Sequence, residues 1–530
     1  MIAPSLRILS LAVACALVAP AVARAEGDEE PTVDAVAFAS ALGREDPARA
    51  DVLLGFYASR GYRPIWTRGS RLSRQGKALV RVLQDAGREG LDAARYWDPA
   101  WGTASDGDTA AAGALDLRAT DAFLRYTSDV AGRIDPAAVN PYWAQRLRPV
   151  DLTAVLADAV ESEDVERTLR SLLPRTPQYA ALRDALAHYR AIAEKGGWPE
   201  VAAPRRPWRL GQRDPQVAAL RARLAAEGDL PGSPHGAKAV VFDEAAAAAV
   251  KRFQLRHGLE PSGAVDPPTL AALNVPAPER VRQIELNLER WRWLSPSLEA
   301  DRFVLVNIAG FELHAYDGGR DALRMRVVTG NAARSPTPVF GRAMTHVVFR
   351  PYWNVPTSIA EDEILPAVLR DRGYLARRNM VLVKGEGGLQ LRQRPGAGNA
   401  LGLVKFLLPN PFGVYLHDTP EGALFARARR DKSHGCVRVE RPFDLARFAL
   451  GGAPEWTPAR IRAAMAGGGE QQVALPAALP VFVTYLTAWA DEGGAVRFYP
   501  DVYEHDAAQQ NLLQETTARA ANGARFTRAE

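Results

Sequence analysis

The stretch Ser433-His434-Gly435-Cys436-Val437-Arg438 gathers a thiol, an imidazole and a guanidinium into one short run, and Tyr415-Leu416-His417-Asp418 precedes it closely. In an extended segment, side chains two residues apart share a face, so His434, Cys436 and Arg438 would converge. Gly435 carries no Cβ, which lets the backbone bend or approach a substrate and leaves N–H groups to face a developing oxyanion. A thiol attacks as its thiolate, so an adjacent imidazole is the expected proton acceptor. Spacing alone offers two, His417 and His434. The competing view is an inert buried thiol beside satisfied core histidines, and for an isolated cysteine it is the better one. Two His, one Gly and one Arg around a lone thiol weigh against it.

The sequence holds two cysteines, Cys15 and Cys436, in 530 residues. Cys15 falls in residues 1–25, which read as a secretory signal. Arg7 is the positive start, Ile8 to Val18 the apolar run, and Ala23-Arg24-Ala25 a small-x-small cleavage site. The apolar run is shorter than the ~20 residues of a membrane span. The expected mature chain works outside the cytoplasm with one thiol and no internal disulfide. The formal charge of +5 becomes +3 when Arg7 and Arg24 leave, which is near balance for this length and makes no case for nucleic acid. Hydrophobic residues at 47% and charged residues at 24% are ordinary globular values, and the length suggests roughly three or four domains. There is no His-Glu-x-x-His, and the eight histidines show no paired ligand spacing. The Gly-rich stretches lack a phosphate-loop pattern. Neither a metal nor another cofactor is expected.

The elements that must position this chemistry fall into blocks. Residues 26–208 carry helical stripes, of which Tyr179, Leu182, Leu186 and Tyr189 form the clearest, with Tyr62-Arg63-Pro64-Ile65-Trp66 as aromatic punctuation between helices. Val201 to Pro207 reads as a linker. Residues 209–276 form a compact three-helix unit, marked by Val217, Leu220 and Leu224, then Ala249, Val250 and Phe253, then Thr269, Leu270 and Leu273, with Asp243 as an N-cap. From 277 to 502 a helix with Ile284, Leu288, Trp291 and Leu294 leads into strand-like runs, including Phe303 to Ile308, Leu403 to Leu408 and Val481 to Leu486. A helical and loop-rich insert at about 355–400 interrupts the strands and suits a lid over a cleft. Residues 503–530 are polar with little aliphatic content and read as a frayed helix or a disordered tail. The fold class is thus multidomain α+β, with a mainly β last domain.

Two resemblances sharpen this reading. Leu210-Gly211, Val217 to Leu224, the run Ala249 to Leu259, and Gly263-Ala264-Val265 through Leu273-Asn274 resemble a peptidoglycan-binding domain. His417 with Ser433-His434-Gly435-Cys436-Val437-Arg438 resembles the signature of the L,D-transpeptidases with a YkuD-type catalytic domain. Phe349 to Pro356, Asn399 to Gly402 and Pro480 to Trp489 are similar to that family's large periplasmic subfamily, and the amino-terminal helices to its scaffold domain. The resemblance implies that Cys436 attacks the carbonyl of the third stem-peptide residue, releases the terminal D-alanine and holds the stem as a thioester. A diaminopimelate amine then resolves it into a 3-3 cross-link. It makes His417 the base, held through its far nitrogen by the carbonyl of Asp418, and reverses the order that local spacing favours. It assigns His434, Arg438, Ser433, Asp418, Tyr415, Trp353 and Asn354 to the pocket and donor binding, and the amides around Gly435 and Cys436 to the oxyanion hole.

The implied partners are peptidoglycan stem peptides and glycan strands in the periplasm, together with wall-synthesis or hydrolysis proteins. Two other outcomes stay open. The acyl-enzyme could go to water or a protein lysine, as in a carboxypeptidase, an endopeptidase or a lipoprotein-attaching enzyme. Alternatively, the chain could be a non-catalytic wall-binding scaffold.

Overall fold

The computed structural model describes residues 32–42, 46–102, 109–147, 149–232, 236–294, 298, 300–385, 388–491 and 493–526. The signal-peptide reading of residues 1–25 lies outside them. Among the described residues, no helix is long and apolar enough to cross a membrane.

The amino-terminal block is helical, as its periodicity predicts. Its longest helix, α1 (Thr109–Ala131), carries the buried Asp116. That carboxylate accepts from the amides of Ile65 (2.9 Å), Trp66 (2.6 Å) and Thr67 (2.8 Å) and from the Tyr57 hydroxyl (2.6 Å). These donors offset the cost of burying the charge and fix the aromatic turn as packing. Next, α2 (Pro177–Glu194) begins at the Thr176 cap and buries Tyr179, Leu182, Leu186 and Tyr189.

The three-helix unit consists of α3 (Gln216–Ala226), α4 (Glu244–Arg256) and α5 (Pro267–Leu273) around Val217, Leu220, Leu224, Val250, Phe253 and Leu273. Asp243 caps α4 by accepting from the Ala246 amide at 2.9 Å. The segment read as a linker begins inside this core. Val201 is fully buried and exchanges two hydrogen bonds of 2.9 Å with the Asn274 side chain. A short apolar residue in a Pro- and Arg-rich run hides that contact from sequence order.

Behind it, α6 (Ala277–Leu294) lays Ile284, Leu288, Trp291 and Leu294 against α2 on one side and the strands on the other, in one continuous core. The strands are β1 (Arg302–Asn307), β2 (Glu312–Asp317), β3 (Arg320–Gly330), β4 (Phe340–Phe349), then, after the insert's own strands β5 to β7, β8 (Val404–Leu407), β9 (Leu416–His417), β10 (Asp431–Ser433), β11 (Val437–Val439) and β12 (Gln471–Thr484). They form a nine-stranded sheet in the order β10-β3-β11-β9-β8-β4-β12-β1-β2, and β2 pairs back to β3, so the row closes on itself. Closure leaves few free edges and fills the interior with apolar side chains.

The insert differs from its expectation. A π-helical turn at Ala360–Ile364 runs into a helix, α7 (Leu365–Arg370), as predicted, but β5 (Trp353–Asn354), β6 (Met380–Gly385) and β7 (Gly388–Gln393) form a separate three-stranded sheet. Leu382 and Leu389 are 60% and 77% exposed, so these strands lack the apolar-in, polar-out alternation that marks a strand. The insert has its own small core of Val355, Ile364, Met380 and Leu391.

The polar tail forms a helix, α8 (His505–Phe526). Gln509 is fully buried, accepting from Arg290 Nε (2.7 Å) and donating to the Leu286 carbonyl (3.0 Å), and Thr517 accepts from Arg133 at 3.0 Å. These polar contacts dock the helix beside Ala508, Leu512 and Leu513, too few apolar residues to announce it as a stripe.

Candidate active site

Register assembles the site. β9 and β11 run parallel, pairing Leu416 with Val437 and His417 with Arg438, and Lys405 of β8 pairs with His417. The Val437 amide donates to the Tyr415 carbonyl at 3.1 Å and carries the ladder one step further. Lys405, Tyr415, His417, Cys436 and Arg438 therefore share one face of the barrel wall.

The motif is not one continuous strand. Between β10 and β11 the chain turns at Gly435, whose φ of +106° is a conformation that L side chains rarely adopt. Cys436 and Arg438 stay with His417, while the exposed His434 turns toward the insert, its Nε2 lying 2.6 Å from Glu363 Oε1 in the π-helical turn. The expected convergence of His434 with Cys436 is broken by this single residue. The Gly435 amide, expected at an oxyanion, donates instead to Ser433 Oγ at 3.2 Å, and Ser433 Oγ donates to the Cys436 carbonyl at 2.5 Å. Ser433 acts as the internal brace of the turn.

Residues that the sequence reading did not single out brace it from outside. Thr337 Oγ1 donates to the Gly435 carbonyl and accepts from the Gly330 amide, both at 2.8 Å, and Ser335 Oγ donates to the Ser433 carbonyl at 3.2 Å. Tyr503, at the start of the tail, donates to the Gly330 carbonyl at 2.6 Å and accepts from the Thr337 amide at 3.2 Å. A loop rich in Asn, Ser, Pro and Thr is legible at 331–337, but nothing in chain order brings it beside position 435.

Cys436 is half-buried. Its Sγ lies 3.9 Å from the Gly413 carbonyl, and both the main chain and the phenol of Tyr415 hydrogen-bond the sulfur. Burial pushes the thiol up, against the opposing pull of Tyr415, Lys405 and Arg438. The Tyr415 hydroxyl is itself raised by burial and by the sulfur, and it takes a hydrogen bond from Trp353 at the base of the insert. Trp353 thus reaches the thiol through one intermediary. Asn354 lies in the insert's sheet, accepting from Arg392 Nε at 2.7 Å.

His417 is buried, and its Nδ1 lies 2.5 Å from the Asp418 carbonyl oxygen. Burial and then Arg438 push its imidazole down to about 3, with the Asp418 carbonyl opposing, so the ring is neutral at physiological pH and free to accept a proton at Nε2. The Asp418 carboxylate faces elsewhere. It accepts from the amides of Leu403 (2.8 Å) and Thr419 (2.7 Å), and it is raised by burial. Arg438 pairs with Glu421.

Comparison with known proteins matches this geometry to domains. Residues 301–461 match the model of the L,D-transpeptidase catalytic domain, residues 213–273 that of a "Putative peptidoglycan binding domain", and residues 51–186 that of a scaffold domain. A Haemophilus influenzae protein described as "Putative L,D-transpeptidase" is 34% identical over 227 residues, a stretch spanning 40% of this chain and 46% of that protein. Among solved structures, an L,D-transpeptidase from Stackebrandtia nassauensis is 15% identical, over 53% of this chain and 97% of that one, at a TM-score of 0.22. One from Xylanimonas cellulosilytica is 18% identical, over 53% and 98%, at 0.17. Identities and TM-scores this low carry no chemical argument. The catalytic-domain match, by contrast, falls on the closed sheet and its thiol turn, with the other two matches on the helical blocks ahead of it. Residues 301–461 thus match a YkuD-type L,D-transpeptidase catalytic domain, preceded along the chain by the matches to a scaffold domain and a peptidoglycan-binding domain.

Proposed function

We propose that this protein is an exported, periplasmic murein L,D-transpeptidase that forms 3-3 cross-links through a Cys436 thioester. The observation that carries the reading is the shared sheet face on which Cys436 stands with a neutral, main-chain-anchored His417. In the first half-reaction Cys436 Sγ attacks the carbonyl of the third stem residue as its proton passes to His417 Nε2. The imidazolium is steadied by the Asp418 carbonyl at Nδ1. The resulting oxyanion is received by the Cys436 amide, because the Gly435 amide is engaged by Ser433. Collapse breaks the amide bond, His417 returns the proton to the leaving nitrogen, and D-alanine departs. A diaminopimelate amine of a second stem then attacks the thioester, gives up a proton to His417 and leaves the cross-link and the free thiol. The three-helix unit holds glycan strands within reach, and Arg438, Trp353 and Tyr415 line the donor side.

Incubating the purified protein with disaccharide tetrapeptide, beside a Cys436→Ala control, tests this by mass spectrometry. A dimer lighter by one D-alanine and absent from the control is the expected product. Tripeptide alone assigns the acyl-enzyme to water. No change in either sample leaves a wall-binding scaffold as the function.

A further inference from the structure

Two cations, Arg438 and Lys405, and one neutral imidazole share the sheet face of Cys436. Arg438, on the same strand, pairs with Glu421. His434, on the turn, is bonded to Glu363 of the insert. His417, on the neighbouring strand, is neutral. Lys405 is different. It stands one strand beyond His417 in direct register and is half-buried, and its Nζ lies 3.8 Å from the centroid of the Tyr415 ring. Tyr415 is the residue whose hydroxyl is bonded to the sulfur. Among the described residues Lys405 forms no ion pair. The carboxylate that it feels, Glu470, is exposed and spends an oxygen on the Tyr352 amide at 2.8 Å.

We propose that Lys405 is the charge-supplying residue of the nucleophile: its ammonium, seated on the Tyr415 ring, stabilises the negative charge that the Cys436 sulfur takes on as its proton leaves, directly and through the phenol hydrogen bond. A cation on an aromatic face remains unneutralised while being held in place. In a partly dry site, a fixed positive charge a few ångströms away favours the charged form of a thiol. Burial lowers the ammonium itself, and the sulfur opposes that lowering, so the two groups sense each other. The neutral His417 supplies no such charge before it takes the proton. Lys405 thus offsets the burial that pushes the thiol up, and His417 is left to move the proton. The inference rests on Cys436 being the nucleophile of the proposed reaction. It does not depend on the acceptor or on turnover of wall fragments.

The test is the pH dependence of iodoacetamide alkylation of Cys436 in the full chain, read on the Cys436 peptide by mass spectrometry. Lys405→Met keeps the aliphatic stem and removes the charge. Its alkylation midpoint should rise by about one pH unit, with the rate at pH 7.5 falling roughly tenfold. Lys405→Arg, which restores the charge on another shape, should stay within about threefold of wild type. Tyr415→Phe should shift the midpoint in the same direction as Lys405→Met. Melting curves accompany each variant, and a lost fold would remove the profile in the Met and Arg proteins alike. A Lys405→Met profile that superimposes on wild type overturns the proposal. If KM for the tetrapeptide then rises, the ammonium belongs to a substrate carboxylate instead. Because alkylation needs no substrate, its outcome is separate from failure of the transpeptidase reading.

Discussion

A Cβ on residue 402 would stand 2.4 Å from the Asp418 carboxyl carbon, and Gly402 sits at φ +61°, so an alanine there meets both steric and backbone strain. Asp418 matters through its main chain. Its carbonyl orients His417, while its carboxylate ties Leu403 and Thr419. Gly402→Ala is expected to cost about 2 kcal/mol of stability and to lower the acylation rate beyond what that loss explains, as seen in a melting curve beside a single-turnover assay. His417 carries a second expectation. Its folded value of about 3 lies below the ordinary value of 6.5, so between those limits the unfolded chain takes up a proton that the folded one refuses. Stability that is full above pH 6.5 is lost as the pH falls toward 3. In denaturant titrations at pH 7 and pH 4.5, His417→Gln should therefore gain on wild type by about 2 kcal/mol on going to the lower pH. Equal pH slopes for the two proteins would contradict the burial argument. Cys436, His417 and Arg438 were legible as residue types and spacing. Spacing alone did not partition the two histidines, because their separation turns on the positive φ of Gly435, and only the family resemblance named His417 as base; neither Thr337 nor Tyr503 has any sequence signal tying it to the turn.

At the scale of elements, the insert closes onto the site through two side chains. Trp353 reaches Tyr415 from its base, and Glu363 reaches His434 from a π-helical turn of the kind often found at functional sites. The His434–Glu363 bond is about half exposed, so its contribution to global stability is under about 1 kcal/mol. Its effect belongs to the opening of the insert. Hydrogen exchange of the amides of residues 360–370 should quicken by a similar factor in Glu363→Ala and His434→Ala, and the double variant should add nothing further. Additive effects would mean that the two residues act separately. Removing most of residues 360–395 should impair acylation while leaving binding to sacculi intact, because the three-helix unit has its own core. β1 and the end of β12 were readable because Phe303 to Val306 and Val481 to Thr484 are short runs rich in β-branched and aromatic residues, whereas the first ten residues of β12, with Pro476 and Pro480, carry no such signal. β10 and β11 were not, since Asp431-Lys432-Ser433 and Val437-Arg438-Val439 are too short for any period to show and depend on β3 for pairing.

At the scale of the molecule, the helical blocks and the barrel are joined by buried charge as much as by apolar contact. Glu227, just after α3, is fully buried, and its carboxylate accepts from Arg223 Nη1 (2.5 Å), Arg256 Nη2 (3.0 Å) and the Tyr189 hydroxyl of α2 (2.7 Å). Arg256 also binds Asp229 (2.6 Å) and the Val496 carbonyl beyond the barrel (2.9 Å), and Arg223 lies 3.7 Å over the Trp198 ring. Burial alone would raise the Glu227 carboxyl, but Arg256 and Arg223 overcome it and hold the group well below the usual carboxylate range. Its contribution is therefore present above about pH 4.5 and is lost on acidification below that. None of this was legible from composition, since a glutamate and two arginines on helices read as solvated surface until the third partner, Tyr189, is brought in from the preceding block. Glu227→Ala leaves both guanidiniums in the interface without their shared acid and is expected to cost about 3–5 kcal/mol. Because the cluster joins three blocks, the loss should also separate their unfolding. Wild type is expected to melt in one transition and the variant to show an early one, with amide exchange rising first across residues 209–276 while the barrel strands stay protected. A single unshifted transition in Glu227→Ala would mean that the apolar contacts of Tyr189, Trp198 and Phe498 hold the blocks together unaided.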